Sequence, residues 1–529
     1  MRLIRVSAIL LVIIAAFLRL YRLDHYPLPM HQDELSNAYD AYSIVETGAD
    51  RNGVHVPIVL RAQGAVDYRP AMYAWLATVP IGVAGFSPAA ARVPSAVLGI
   101  VSLVLLFLFA RELVDERYAI LALAFGVFSP WHITYSRLAH EGAMLAGFFV
   151  IAVLYLWLSA AARDYPQRLI GATGLVIGLS ANAYQTTRLI APLVLLLVAF
   201  DIYRSAKAPR SAIAILTIAA AIGAMPQLYV LITEPQHFFA RLMATVPTTG
   251  AKEPSAIESA LHGLSLVFGA KLLFWPNMED TGYLSARLLT VELPFYYLGF
   301  FVLPGLIRRD RRKFGWYIYI VFAIAILPAV VTAHSASVRV AAALLILPLW
   351  TASGVRWVAQ RLSRARPRIP SPVTYGAVAA GACMSIAFTA FMYFGSKTVN
   401  GMRSNNVLVQ VGERLRTLAP RYERVFVVDS PAYAGLHVAA FSGMHPSEFQ
   451  RTRKVDVDAK GWDHITSVGK YRFITSRELD SMFQTSSQIG ERDLLVTRFR
   501  IEPAPPFDSV TWNNERYYFA DATSVLLHK

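Results

Sequence analysis

"AMYAWLATVPIGVAGF", residues 71–86, decides how this chain is threaded. It is apolar and nearly long enough to cross a bilayer, which takes roughly 20 residues, but Pro80 and Gly82 interrupt it. Eleven other apolar segments lie at about 6–20, 93–110, 118–135, 142–160, 169–184, 189–203, 211–232, 293–307, 315–333, 340–357 and 372–394. Take "MRLIR" as inside and residues 71–86 as not crossing. The inside loops are then "RELVDER" (111–117), "ARDYPQR" (162–168), "YRSAKAPR" (203–210), "RRDRRK" (308–313) and "RWVAQRLSRARPR" (356–368). Those are the basic loops, as the positive-inside rule requires. If 71–86 crosses, all of them move outside. The stretch therefore reads as a helix lying in or dipping into the outer leaflet. Eleven crossings follow, with the N-terminus inside and the C-terminus outside. The two short spans around "NAYQTTR" (182–188) are kept apart, because merging them flips the later loops.

Bulk composition agrees. The 529 residues are 55% hydrophobic and 16% charged, with a mean hydropathy of +0.43, whereas soluble chains carry roughly 25% charged residues. The formal charge of +15 does not call for nucleic acid. Its basic residues sit in short runs between apolar segments, which suits topology and anionic headgroups. The lone cysteine, Cys383, allows no disulfide within the chain and is silent about redox compartment. "MRLIRVSAILLVIIAAF" has the outline of a signal peptide, but no small-x-small site follows cleanly and many spans do, so it reads as an uncleaved first helix.

The expected fold is a polytopic α-helical membrane protein with a small external α/β domain. The membrane part covers 1–395, including a large first external loop at about 21–92 with juxtamembrane helices. The tail, 396–529, changes character. "NNVLVQVGERLRTLAP" reads as an amphipathic helix, while "RVFVVDS" (424–430), "KYRFITS" (470–476) and "ATSVLLHK" (522–529) read as strands. No repeat, GxGxxG or Walker-type loop is present in the sequence.

Four external stretches carry more ionisable residues than a connector needs. "HQDE" (31–34) places Asp33 and Glu34 just beyond the first span, where either acid also suits a helix N-terminus. "DYRPAMYAW" (67–75) places Tyr68 and Arg69 before Pro70; an interfacial arginine also meets lipid phosphate. "SPWHITYSRLAHEG" (129–142) holds Arg137, His140 and Glu141, and Arg137 and Glu141 would be i,i+4 neighbours in a helix, suited to an ion pair. "AHSASVR" (333–339) holds His334 and Arg339, the latter also suited to snorkelling. Each has a plain structural explanation. Together they put three acids and three arginines on one side of one membrane.

Such a set suits sugar transfer from a polyprenyl phosphate. A carboxylate takes the proton of an acceptor hydroxyl as it attacks the anomeric carbon from the face opposite the leaving group, giving inversion. The leaving phosphate needs positive charge rather than an acid, which arginine forks supply. No nucleotide pocket is required. The histidines form no HExxH or comparable ligand spacing, so no metal site is expected, although two acids leave room for a divalent cation.

"HQDELSNAYDAYSIVETGADRNG", "DYRPAMYAWLATVPIGVAGFSPAAARVPSAVLG", "SPWHITYSRLAHEG" and "SVRVAAALLILP" also resemble a known group. They are similar to bacterial GT-C glycosyltransferases of the protein O-mannosyltransferase and aminoarabinose-transferase superfamily, strongly over about 1–200 and weakly over 200–395. The resemblance implies that Asp33 is the catalytic base with Glu34 beside it, and that Arg69, at the basic position before the proline, binds lipid phosphate. It further implies that Glu141 is the supporting acid of the second external loop. Arg339 matches the arginine opening a late span, although relatives follow it with tyrosine and this chain has Val340.

The expectation is an inverting glycosyltransferase at the outer face of a bacterial plasma membrane. Asp33, Glu34 and Glu141 are the catalytic candidates. Arg69, Arg137 and Arg339 are the donor-phosphate candidates, and Tyr68, His140 and His334 the substrate-binding ones. The partners are a polyprenyl-phosphate sugar, a hydroxyl acceptor on protein, lipid or polysaccharide, and membrane lipid. The alternatives are a transporter or flippase, which would place charges mid-span, and a non-catalytic glycan- or lipid-binding scaffold, which has no use for a base.

Overall fold

The structure, a computed structural model, describes residues 2–27, 30–64, 67–245, 254–275, 287–333, 337–365, 368–391, 405–431, 433–459, 461–484, 489–500, 506–512 and 515–522. In chain order the first elements are helix α1 (Arg2–Leu20), α2 (Gln32–Thr47), the short strands β1 (Val59–Arg61) and β2 (Tyr68–Pro70), and α3 (Met72–Ala84). Next come α4 (Pro88–Leu113), α5 (Glu116–Phe128), α6 (Pro130–Tyr135), α7 (Glu141–Ala161), α8 (Gln167–Ser180), α9 (Thr187–Ser205) and α10 (Pro209–Thr233). Then follow α11 (Pro235–Met243), α12 (Ala256–Phe268), α13 (Ala270–Phe274), α14 (Leu293–Leu306), α15 (Lys313–Val330), a 3₁₀ segment (Ser337–Ala343), α16 (Leu347–Leu362) and α17 (Ser371–Ala390).

Helix occupies all eleven apolar segments, and 71–86 is helical as well. By length and composition α4, α7, α10, α15 and α17 are each able to cross a membrane; the 3₁₀ segment with α16, bent by 59°, makes a sixth. Two expected spans differ in detail. Residues 118–135 break at Ser129–Pro130, where the Ser129 hydroxyl caps α6 by accepting from the His132 N–H. Residues 340–357 begin as 3₁₀ rather than α-helix. Between the apolar segments 211–232 and 293–307, the described residues form three α-helices, α11 to α13.

The chain divides into two compact units. The first comprises 1–23, 69–73 and 92–399. Its helices approach closely where a side chain would intrude. A methyl group at Gly174 or Gly178 of α8 would strike the Leu216 and Ala220 carbonyls of α10. Gly299 of α14 and Gly354 of α16 lie just as tightly on the Trp350 and Phe295 carbonyls. Small residues at such crossings are the usual means of packing helices in lipid, where burial from water gives no drive.

The second unit comprises 24–68, 74–91 and 400–529. Its C-terminal part holds α18 (Asn405–Leu418), β3 (Arg424–Val428), α19 (Ala434–Phe441), α20 (Pro446–Thr452), β4 (Lys454–Val457), β5 (Asp463–Val468), β6 (Tyr471–Ile474), α21 (Ser476–Gln484), β7 (Asp493–Thr497), β8 (Asp508–Trp512) and β9 (Glu515–Asp521). The seven strands form one sheet in the order β4-β5-β6-β3-β7-β9-β8. β3 runs parallel to β6 and β7, and the remaining pairs are antiparallel. The run "VFVV" of β3 is buried, as a central parallel strand covered on both faces requires. The predicted helix at 405–420 and the strands at 424–430 and 470–476 are present. "ATSVLLHK" lies almost wholly outside the described residues, among which the last strand is β9.

The first external loop packs within this second unit. Gly64 bridges antiparallel to Trp462, and the Asp463 N–H donates to the Gln63 carbonyl at 2.8 Å. Tyr39 of α2 packs edge-on against Phe449 of α20 and donates to the Met444 carbonyl. Arg61 pairs with Asp463 at 2.5 Å.

Candidate active site

Asp33, Glu34 and Tyr68 belong to the second unit, and Arg69, Arg137, His140, Glu141 and Arg339 to the first. His334 lies outside the described residues.

The two acids of "HQDE" are used differently. His31 is the N-cap of α2, its ring nitrogen accepting from the Asp33 N–H, while Glu34 at the third helical position accepts from the His31 N–H at 3.2 Å. This reciprocal capping box buries Glu34 to 1% exposure. Asp33 remains 29% exposed. One of its oxygens accepts from Gln63 Nε2 at 2.7 Å and the other is 3.2 Å from His31 Nδ1. The helix N-terminus favours a carboxylate here, and Asp33 is the one of the pair with access to solvent. Tyr68 is half-buried at the start of β2.

In the first unit, Arg69 and Glu141 come together. Arg69 Nη1 is 3.8 Å from Glu141 Oε2, with the side chains 2% and 5% exposed. Glu141 is the first residue of α7, and His140 is its N-cap, accepting from the Gly142 N–H at 3.0 Å. The chain is not helical between Tyr135 and Glu141, so the i,i+4 geometry expected for Arg137 and Glu141 does not form. Arg137 is fully buried and donates to the carbonyls of Leu18 (2.8 Å), Tyr21 (2.7 Å) and Arg22 (3.3 Å). Its fork is thus engaged in holding the end of α1.

The His140 ring meets Tyr184 edge-on, with 6.1 Å between centroids. Tyr184 in turn lines a cavity of ≈ 200 Å³ to which Arg188, Arg241 and Arg339 all contribute. Arg339 donates to Thr332 Oγ1 (2.6 Å) and to the Ala333 carbonyl (3.1 Å). Arg188 lies over the Phe238 ring at 4.5 Å, donates to the Phe238 carbonyl at 2.6 Å and to Gln227 Oε1 at 3.1 Å, and keeps a buried Nη2 with no hydrogen-bond partner. Arg188 also borders a second cavity of ≈ 350 Å³ between α8, α9 and α10, lined mainly by apolar groups such as Leu195, Leu228 and Leu231. The charged end of one cavity therefore meets the greasy end of another at a single arginine.

Arg188 and Arg241 were not among the sequence candidates. Arg188 ends the "NAYQTTR" turn and Arg241 sits in the last turn of α11. The available signal was their external position beside aromatics, which many interfacial arginines share. Among the described residues no group of three or more His, Cys, Asp or Glu is placed to hold a metal ion.

Residues 68–229 match the family model described as dolichyl-phosphate-mannose-protein mannosyltransferase. Comparison with curated proteins gives no match. Among solved structures, ArnT from Cupriavidus metallidurans in the apo state is similar at a TM-score of 0.59 and 13% identity, over 98% of each chain. The same protein bound to undecaprenyl phosphate gives 0.58 and 12%, over 97% of each chain. The archaeal oligosaccharyltransferase AglB from Archaeoglobus fulgidus, in complex with an inhibitory peptide and a dolichol-phosphate, gives 0.51 and 12%, over 84% of this chain and 64% of that one. The expected resemblance is met by that family model over residues 68–229 and by a fold shared with ArnT along nearly the whole chain.

Proposed function

With a GT-C fold and that family match as premise, we propose that this chain is an inverting membrane glycosyltransferase. It moves a sugar from a polyprenyl-phosphate donor to a hydroxyl acceptor at the outer face of a bacterial plasma membrane. The observation that carries the reading is Arg188, which borders both an arginine-lined cavity and an apolar one and keeps a buried Nη2 with no hydrogen-bond partner. A lipid phosphate has that shape: a doubly acceptor-rich headgroup on a hydrocarbon tail. Buried donors favour charged acceptors strongly. That one similar structure holds undecaprenyl phosphate and another a dolichol-phosphate supports the same donor class.

In this reading the eleven helical segments are the eleven crossings. Asp33, oriented by Gln63, accepts the proton of the acceptor hydroxyl as its oxygen bonds to the anomeric carbon. The bond from that carbon to the phosphate oxygen breaks, and the electron pair leaves with polyprenyl phosphate. Arg188, Arg241 and Arg339 offset its growing charge. Arg69 and Glu141 form a supporting buried pair.

The test is Asp33→Asn, assayed for sugar transfer in membranes supplied with polyprenyl-linked sugars. Transfer should fall by roughly 10²–10⁴-fold, the usual contribution of a general base, with the protein still folded and still binding polyprenyl phosphate. Normal turnover sinks the assignment.

A further inference from the structure

The second unit contains a cavity of ≈ 260 Å³ that the donor chemistry does not use. One wall comes from the first external loop, through Gln32, Arg51 and Gln63; the other comes from the C-terminal part, through His437, Arg453 and Trp462. A single water needs only roughly 10–15 Å³ by such a measure, and small-molecule sites begin near roughly 300 Å³. The space therefore suits one compact ring rather than a solvent molecule or a chain.

Its lining identifies the ring. Trp462 is a half-buried indole in the wall, a flat apolar surface of the kind a sugar's C–H face covers. Asp458 Oδ2 lies 3.1 Å from His464 Nε2, and both border the cavity, offering a carboxylate and an imidazole to hydroxyls. The formal charges balance. Arg51, Arg453, Asp458 and Asp463 all line it, and two of them are already engaged, Arg51 with Asp40 at 3.1 Å and Asp463 with Arg61. An anionic group finds no excess positive charge here, in contrast to the arginine-lined cavity of the first unit.

His437 is fully buried behind the cavity wall, its Nδ1 donating to the Tyr433 carbonyl at 3.1 Å and the Met30 backbone also bonding to the ring, so it braces the wall from both sides.

The cavity is also tied to the proposed base. Gln63 lines it, its side chain holds Asp33 at 2.7 Å, and its carbonyl takes the Asp463 N–H at 2.8 Å. We infer that this cavity binds a neutral sugar ring of the acceptor, so that the acceptor is a glycan and Asp33 acts on a hydroxyl next to the bound ring. This rests on the transferase reading for its purpose, but not for its test.

The experiment is saturation-transfer NMR on the full-length protein in detergent. The probes are methyl glycosides of the common hexoses and pentoses, with a serine/threonine-rich peptide run in parallel. At least one glycoside should show transfer, weakened more than tenfold in apparent affinity by Trp462→Ala and largely retained in Trp462→Phe, which keeps an aromatic face. Thermal melting of each variant separates lost binding from lost fold. No glycoside binding, binding indifferent to Trp462→Ala, or the peptide alone binding at Trp462 overturns the inference. Asp33→Asn distinguishes the two readings: abolished transfer without glycoside binding leaves the transferase and removes the glycan site. Trp462-dependent binding with normal Asp33→Asn turnover does the reverse.

Discussion

Gln63 Nε2 donates to Asp33 Oδ1 at 2.7 Å, across 30 residues of the first external loop. The candidate base is therefore oriented by a side chain whose own backbone is anchored to Asp463 of the C-terminal part. A hydrogen bond to a charged group is worth roughly 1.5–3 kcal/mol. Gln63→Leu should lower kcat about 10- to 100-fold through misorientation of Asp33, while polyprenyl phosphate binds as before. An unchanged kcat removes Gln63 from the site.

Arg69 and Glu141 approach to 3.8 Å with both side chains almost fully buried. Stripping one partner from a buried ion pair costs roughly 3–5 kcal/mol, so Arg69→Ala and Glu141→Ala should each lower the melting temperature in detergent. A double-mutant cycle on stability and on transfer separates their roles. Coupling in stability alone makes the pair a strut; coupling in transfer as well brings it into the chemistry.

Arg188→Ala should raise the KM for the polyprenyl-linked donor at least tenfold with little change in fold. Arg188→Lys should recover only part of it, because a point charge lacks the planar fork that grips phosphate. Donor titration by isothermal calorimetry or by kinetics reads both. Equal affinities in wild type and Arg188→Ala would falsify the phosphate role.

Burial pushes the pKa of His437 down to about 4 from an ordinary value of 6.5, against the opposing pull of the Tyr433 and Met30 backbone. Below pH 6.5 the unfolded chain takes up a proton that the folded chain refuses, so stability falls as pH drops from 6.5 toward 4. The span implies a loss on the order of 3 kcal/mol. Melting temperature against pH should show that slope, and His437→Gln, which carries no titratable ring, should flatten it.

Much of the membrane part was legible in the sequence because hydropathy and arginine placement are local signals. The eleven apolar segments are all helical. The break at Ser129 was also written locally, as a Ser-Pro pair at a helix start, but a continuous apolar run hid it. The 3₁₀ start of the late span was not legible: "SVRVAAALL" has the composition of an α-helix, and its form follows from packing on α7, where Ala341 presents its carbonyl to Gly147. Of the site, Asp33, Arg69 and Glu141 could be picked out because acids and arginines near a membrane call for explanation. The capping box that claims Glu34 shows as His-x-x-Glu, whereas the engagement of Arg137 with the end of α1 depends on partners more than 110 residues away. Arg188 likewise meets Gln227 and Phe238 39 and 50 residues on, and Gly64 meets Trp462. Their meeting is tertiary and leaves no periodicity to read.

The exit of α1 is held almost entirely from later in the chain. Arg92 donates to the Leu23 carbonyl at 3.0 Å, Arg137 takes those of Leu18, Tyr21 and Arg22, and Arg19 donates to the Val127 carbonyl. During synthesis, the root of the first external loop thus waits for α4, α5 and the turn before α7 before its carbonyls find donors. A truncation that ends ahead of residue 137 would leave the Leu18, Tyr21 and Arg22 carbonyls without the Arg137 fork, and the end of α1 without that brace.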